Sequence, residues 1–124
     1  MKRVEVMEFE DQPWFPSWLR TCMTNNIVIM ARLLGVGHAL SELISKALRK
    51  SSTTQIVDLG SGAGGVLPEI VPKLQEQMGS DDIQLVLSDK FPNADAIRKF
   101  NGSFDQSVRY CEESVDATQL ETAP

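Results

Sequence analysis

A chain of 124 residues with 42% apolar side chains has the size and composition of one globular domain, which excludes a disordered tail. Twelve Lys and Arg against seventeen Asp and Glu leave a formal charge of −5, which argues against a nucleic-acid binder built on a broad basic face. Cys22 and Cys111 lie far apart and outside any metal-ligand spacing, so a disulfide framework and a metal centre are both unexpected, and separately buried thiols in a cytoplasmic protein are expected instead.

From the N-terminus, Met1-Lys2-Arg3-Val4-Glu5 carries early positive charge, but Glu8, Glu10 and Asp11 interrupt any apolar signal core. Pro13 and Pro16 punctuate the next stretch, and Ser17 is a candidate cap for a helix starting near Trp18. Leu19, Met23, Ile27, Met30, Leu33 and Leu34 then recur at helical spacing, with Gly35 and Gly37 as the stop. A second helix is expected from about His38 to Arg49, with Leu40, Leu43, Ile44, Ala47 and Leu48 on its inner face. Lys46, Arg49 and Lys50 near its end suit the negative pole of the helix dipole. The most apolar stretch, Ile27 to Ile44, is broken by Arg32, Gly35, Gly37, His38 and Glu42. It falls short of the roughly 20 apolar residues that cross a bilayer, and no membrane partner is expected.

Ser51-Ser52-Thr53-Thr54 is a polar linker that divides a helical preface, residues 1–50, from an alternating unit, residues 51–124. Gln55-Ile56-Val57-Asp58-Leu59 predicts a buried strand ending in a glycine-rich turn. A helix follows from about Gly65 to Gln77, with Pro68 tolerated in its first turn and Pro72 expected to bend or shorten it. Ile83 to Ser88 predicts a second strand, and Asn93 caps a helix running through Phe100. Gln106 to Cys111 predicts a third strand. Strands alternating with helices over short connections specify an α/β fold with a parallel sheet. Asn101-Gly102-Ser103 matches a glycosylation sequon but signifies only a turn here.

The central feature is Asp58-Leu59-Gly60-Ser61-Gly62-Ala63-Gly64-Gly65. An acidic residue followed by glycines at Gly60, Gly62 and Gly64, at the end of a first strand, resembles the first motif of class I S-adenosylmethionine-dependent methyltransferases. Glycines suit the place because a tight turn needs unusual dihedrals and a Cβ would collide with a ligand packed on the backbone. Gly60, Gly62 and Gly65 equally satisfy the dinucleotide fingerprint, so the glycines do not separate S-adenosylmethionine from NAD. Asp58 does, because a dinucleotide fold usually places an apolar residue there. The resemblance implies that Asp58 accepts hydrogen bonds around the turn and from the cofactor's ammonium; the plainer alternative is a carboxylate that only braces the loop.

The resemblance further implies cofactor contacts at Ser61 and along Asp89-Lys90-Phe91. Asp89 stands where a carboxylate would take both hydroxyls of a ribose, unless it is a solvated turn aspartate. Phe91 would pack on adenine or be simple core. Asp116-Ala117 resembles a third motif at the end of strand three, where the acid accepts from the adenine amino group; Glu112, Glu113 and Asp116 also fit an exposed acidic loop. Trp14, Phe15 and Trp18 either line the mouth of the site or staple the preface to the sheet, and the staple is preferred. His38 is the one histidine, and with nothing pairing locally it is expected to face solvent, not to act as a base.

The resemblance covers Ile56 to Ala117, so about three strands of a seven-stranded, Rossmann-like methyltransferase sheet are expected, preceded by N-terminal helices. Catalytic residues and the methyl acceptor are unassigned, and strand one would stand at a sheet edge that invites pairing. A truncated part of a longer enzyme is the expected origin. A short protein completing its sheet as a homodimer or with a partner chain, a non-catalytic S-adenosylmethionine-binding module, and an NAD-type Rossmann oxidoreductase fragment remain alternatives.

Overall fold

The computed structural model describes Pro13, Trp14 and residues 16–120; Phe15 and the first and last stretches of the chain, with the expectations that fall on them, lie outside the described residues. Helix α1 spans Ser17–Leu33 and α2 spans Val36–Ser51. The alternating unit follows as β1 (Gln55–Leu59), α3 (Leu67–Met78), β2 (Gln84–Ser88), α4 (Ala94–Asn101) and β3 (Val108–Tyr110). The three strands form one parallel sheet in the order β1-β2-β3, with Ile56 opposite Leu85 and Leu87 opposite Tyr110. The fold is α/β, as expected, and it is consistent with part of a Rossmann-like sheet.

The core lies between one face of the sheet and the helices. Leu85 and Leu87 of β2, Val108 and Tyr110 of β3, and Ile70, Val71 and Leu74 of α3 are buried together with Ile83 and Ala96. β2 is buried along almost its whole length because it has a strand on each side. β1 has a neighbour only on one side among the described residues, and its Val57 and Leu59 are exposed. The expected edge is therefore present, and β1 is not the buried strand that its apolar run predicted.

Two helix boundaries correct the expectations. α1 starts at Ser17 with Pro16 in the N-cap position, one residue ahead of the expected start. Gly35, at φ +68°, ends that helical run and starts the next, and the two helices meet at 88°. Gly37 is inside α2, where a Cβ would stand 3.4 Å from Cγ2 of Ile70. The buried face of α2 is Ser41, Ser45 and Leu48, whereas Leu43 and Ala47 are exposed. Small residues let α2 approach α3 closely, and the serine hydroxyls satisfy themselves on the His38 and Glu42 carbonyls one turn back. Pro72 does not shorten α3, which runs through it to Met78.

α1 crosses above the alternating unit and is tied near both ends. Asn93, which also caps α4 through its side-chain oxygen, donates from Nδ2 to the Thr21 hydroxyl at 3.0 Å. Arg32 forms a two-point ion pair with Glu69 in the first turn of α3, holding the Glu69 carboxyl below its usual range. Among the described residues no single helix is long and apolar enough to cross a membrane.

Candidate functional site

Parallel pairing brings the carboxyl ends of all three strands to one edge, the place where open α/β sheets bind ligands. The turn after β1 continues the ladder before it departs: Gly60 and Ser61 both donate to the Ser88 carbonyl at 2.9 Å. Ser88 returns its hydroxyl to the Asp58 carbonyl at 2.8 Å. Gly60, Gly62, Gly64 and Gly65 all have positive φ, so the run of glycines has a backbone cause.

The glycines are not equivalent. A Cβ on Gly60 would meet nothing within 4 Å, which leaves room beside the end of β1. A Cβ on Gly64, at φ +120°, would stand 2.8 Å from Cε2 of Phe100. Gly64 is thus required by the packing of α4 against the turn. Gly64→Ala is expected to cost about 1–3 kcal/mol, since strain and overlap coincide. Urea denaturation measures it, and an unchanged midpoint would refute the contact.

Asp58 is half-buried and accepts from the Ser61 hydroxyl on Oδ2 at 2.7 Å; the one hydroxyl proton goes there, because the Asp58 carbonyl is farther away at 3.1 Å. Burial raises its pKa above the ordinary value, the Ser61 hydrogen bond opposes this, and the charge of Asp89 adds to it. Its second oxygen has no protein partner among the described residues. Asp89 sits across the turn with both oxygens engaged: Oδ2 accepts from the Gly62 N–H and Oδ1 from the Phe91 N–H, each at 2.8 Å. A carboxylate offers about four acceptor positions, so two remain on Asp89, one per oxygen.

The third part of the edge is the loop after β3. Its Val115 N–H donates to the Asp89 carbonyl at 2.9 Å, and the Ser114 hydroxyl donates to the Lys90 carbonyl at 2.6 Å. Lys90 pairs with Asp116 at 3.2 Å. Hydrogen bonds from Thr118, with Lys90 assisting, hold the Asp116 carboxyl down at about 2. Asp116-Ala117 therefore lies in a turn beyond the short β3, tethered to the Asp89-Lys90 segment, and Ala117 is exposed. The structure brings Asp58, Gly60, Ser61, Gly62, Gly64, Asp89, Lys90, Phe91 and Asp116 to one edge.

Tyr110 is the residue that sequence reading missed. It is 2% exposed, and its hydroxyl donates to the Gly62 carbonyl at 2.7 Å. Gly62 is thereby held on both sides, N–H by Asp89 and C=O by Tyr110. Burial, with the charge of Asp89 next, pushes the phenol up to about 12. An aromatic two residues after inward-facing Val108 was the available signal, because alternate strand residues share a face. Tyr110→Phe is expected to cost about 1–3 kcal/mol by leaving the Gly62 carbonyl unpaired. Because the folded phenol titrates above the ordinary value of 10.0, its contribution is complete below pH 10 and is lost as pH rises towards 12. Denaturation midpoints across that interval should fall more steeply in the wild type than in the variant.

Beneath α1 is a cavity of about 280 Å³, lined by Asn25, Val28 and Ile29 of that helix and by Gly65, Pro68 and Phe100 below. α1 therefore lies over the glycine-rich turn. Trp14 and Trp18 are each 65% exposed. His38 faces solvent as expected, but it is not isolated: Nδ1 lies 2.6 Å from the Lys73 amine and Nε2 lies 3.3 Å from Glu42. Cys22 is exposed and Cys111 half-buried, so the expected burial of both thiols does not hold.

Comparison with known proteins gives no match among protein-family profiles, curated proteins or solved structures.

Proposed function

We propose that this chain is the cofactor-binding part of an S-adenosylmethionine-dependent methyltransferase. The observation that carries the reading is Asp58, a half-buried carboxylate at the end of β1 with one oxygen uncommitted, placed beside a glycine turn that leaves open space at Gly60. A half-buried carboxylate with raised pKa and no cationic partner among the described residues is costly to keep without a function, and a ligand ammonium would relieve it. Asp89 fits a vicinal diol, because its two backbone donors orient it and leave one acceptor position on each oxygen. Lys90, Phe91 and the Asp116-Ala117 turn close the adenine side. The cofactor supplies an electrophilic methyl group; this chain's residues bind and orient it. The methyl acceptor and the catalytic residues stay unassigned in this proposal, and a cytoplasmic location and a second chain paired along the β1 edge belong to it as well.

The test is calorimetric titration of the 124-residue chain with S-adenosylhomocysteine, with NADH as the comparison ligand. Saturable binding of S-adenosylhomocysteine alone supports the reading. Binding of NADH alone assigns the site to a dinucleotide. Binding of neither by a folded chain removes the claim that these strands hold the cofactor unaided.

A further inference from the structure

The cavity beneath α1 is walled by three helices and the glycine turn, and its lining contains none of the residues proposed for the cofactor. Val28 of α1, Pro68 of α3 and Phe100 of α4 give it apolar walls, and Ala63 and Gly65 bring the turn to it. A Cβ on Gly65 would meet nothing within 4 Å, so the turn is open on this side, whereas the space beside Gly64 is filled by Phe100. The volume of about 280 Å³ is nearly twice the roughly 150 Å³ that admits benzene in an apolar cavity. A single ring or short branched chain with one polar substituent is the size of molecule that fits.

Charge selects the ligand. Arg32, Glu69 and Lys99 are the charged residues of the lining. Glu69 is taken by its two-point pair with Arg32, and that pair, with the charge of Lys99 assisting, keeps it ionised. Lys99 is left over: no carboxylate pairs with its amine among the described residues, and the amine lies 5.1 Å from the centroid of the Phe100 ring. Two cations against one acid give the cavity one surplus positive charge, in a chain whose total is −5. The first turn of α3 stands at the same place, and its helix dipole favours the same sign of ligand. A single surplus charge matches a carboxylate better than a phosphate monoester, which carries about −1.5 to −2. We propose that this cavity is a second binding site, for a small organic carboxylate whose acid group meets Lys99 and whose apolar body lies between Val28, Pro68 and Phe100. The site stands on its own lining and does not rest on the methyltransferase reading.

The test is titration of the full chain with benzoate, and with benzamide, which has nearly the same shape and no charge, both followed by calorimetry. The expected result is saturable binding of benzoate, about tenfold or more tighter than benzamide, the scale of one hydrogen bond to a charged group. Lys99→Gln should remove that difference, and it is an exposed position where the substitution leaves the core untouched. Lys46→Gln, at an exposed cation on α2 outside the cavity, should preserve it. Val28→Phe fills the cavity and should abolish binding of both compounds, with circular dichroism establishing that the variant is folded. Absence of benzoate binding, equal binding of benzoate and benzamide, tighter binding of phenyl phosphate, or equal losses in Lys99→Gln and Lys46→Gln overturns the proposal. So does competition between benzoate and S-adenosylhomocysteine, which would move benzoate to the cofactor's edge. S-adenosylhomocysteine binding to the chain alone is read separately, so failure of this inference and failure of the methyltransferase reading are distinguishable.

Discussion

Asp89→Asn is expected to lower the affinity for S-adenosylhomocysteine by about 100-fold, roughly 2.7 kcal/mol, the scale of one hydrogen bond to a charged acceptor. The substitution is nearly isosteric, so the size of the side chain is not what changes. Both atoms that face Asp89 in the folded protein are N–H donors, from Gly62 and Phe91. An amide has one acceptor oxygen and must turn its NH₂ towards one of those donors. The turn then loses its clamp on Gly62, and a ribose diol loses an acceptor as well. Calorimetry measures the affinity and circular dichroism establishes that the variant is folded. A folded Asp89→Asn chain that binds S-adenosylhomocysteine as tightly as wild type would remove Asp89 from the site.

The largest effect on stability is expected at Leu87. It is fully buried in the middle strand, opposite Asp58 on one side and Tyr110 on the other. Leu87→Ala removes buried volume that its neighbours, themselves strand residues, cannot fill by moving. A loss of about 2–5 kcal/mol follows, a large part of the roughly 5–15 kcal/mol that holds an ordinary domain together. Val57→Ala, on the exposed side of the edge strand, should stay within about 0.5 kcal/mol of wild type. Urea denaturation of the two variants measures the contrast, and equal losses would show that β1 and β2 are buried alike.

The contrast between these strands marks where sequence reading stops. Gln55–Leu59 and the run ending at Ser88 have similar apolar content, and both are five-residue strands. Only pairing distinguishes them, because among the described residues β2 has two neighbours and β1 has one. The same holds for α2, where Leu43 was expected inside and Ser41 and Ser45 take its place. A close helix–helix approach rewards small side chains, and periodicity alone does not reveal how near the partner helix comes.

The turn chemistry and the alternation of strands with helices were written locally, in Asp58, the glycines, Asn93 and the strand-ending Ser88-Asp89, because backbone dihedrals, caps and apolar period depend on near neighbours. Tertiary structure decided the rest. Tyr110 reaches Gly62 across 48 positions of sequence, and Gly64 owes its missing Cβ to Phe100 on another helix. The apolar period of α1 was visible, but the exposure of its Ile27 and Met30 was not, since a helical period fixes which residues share a face and leaves open what that face meets.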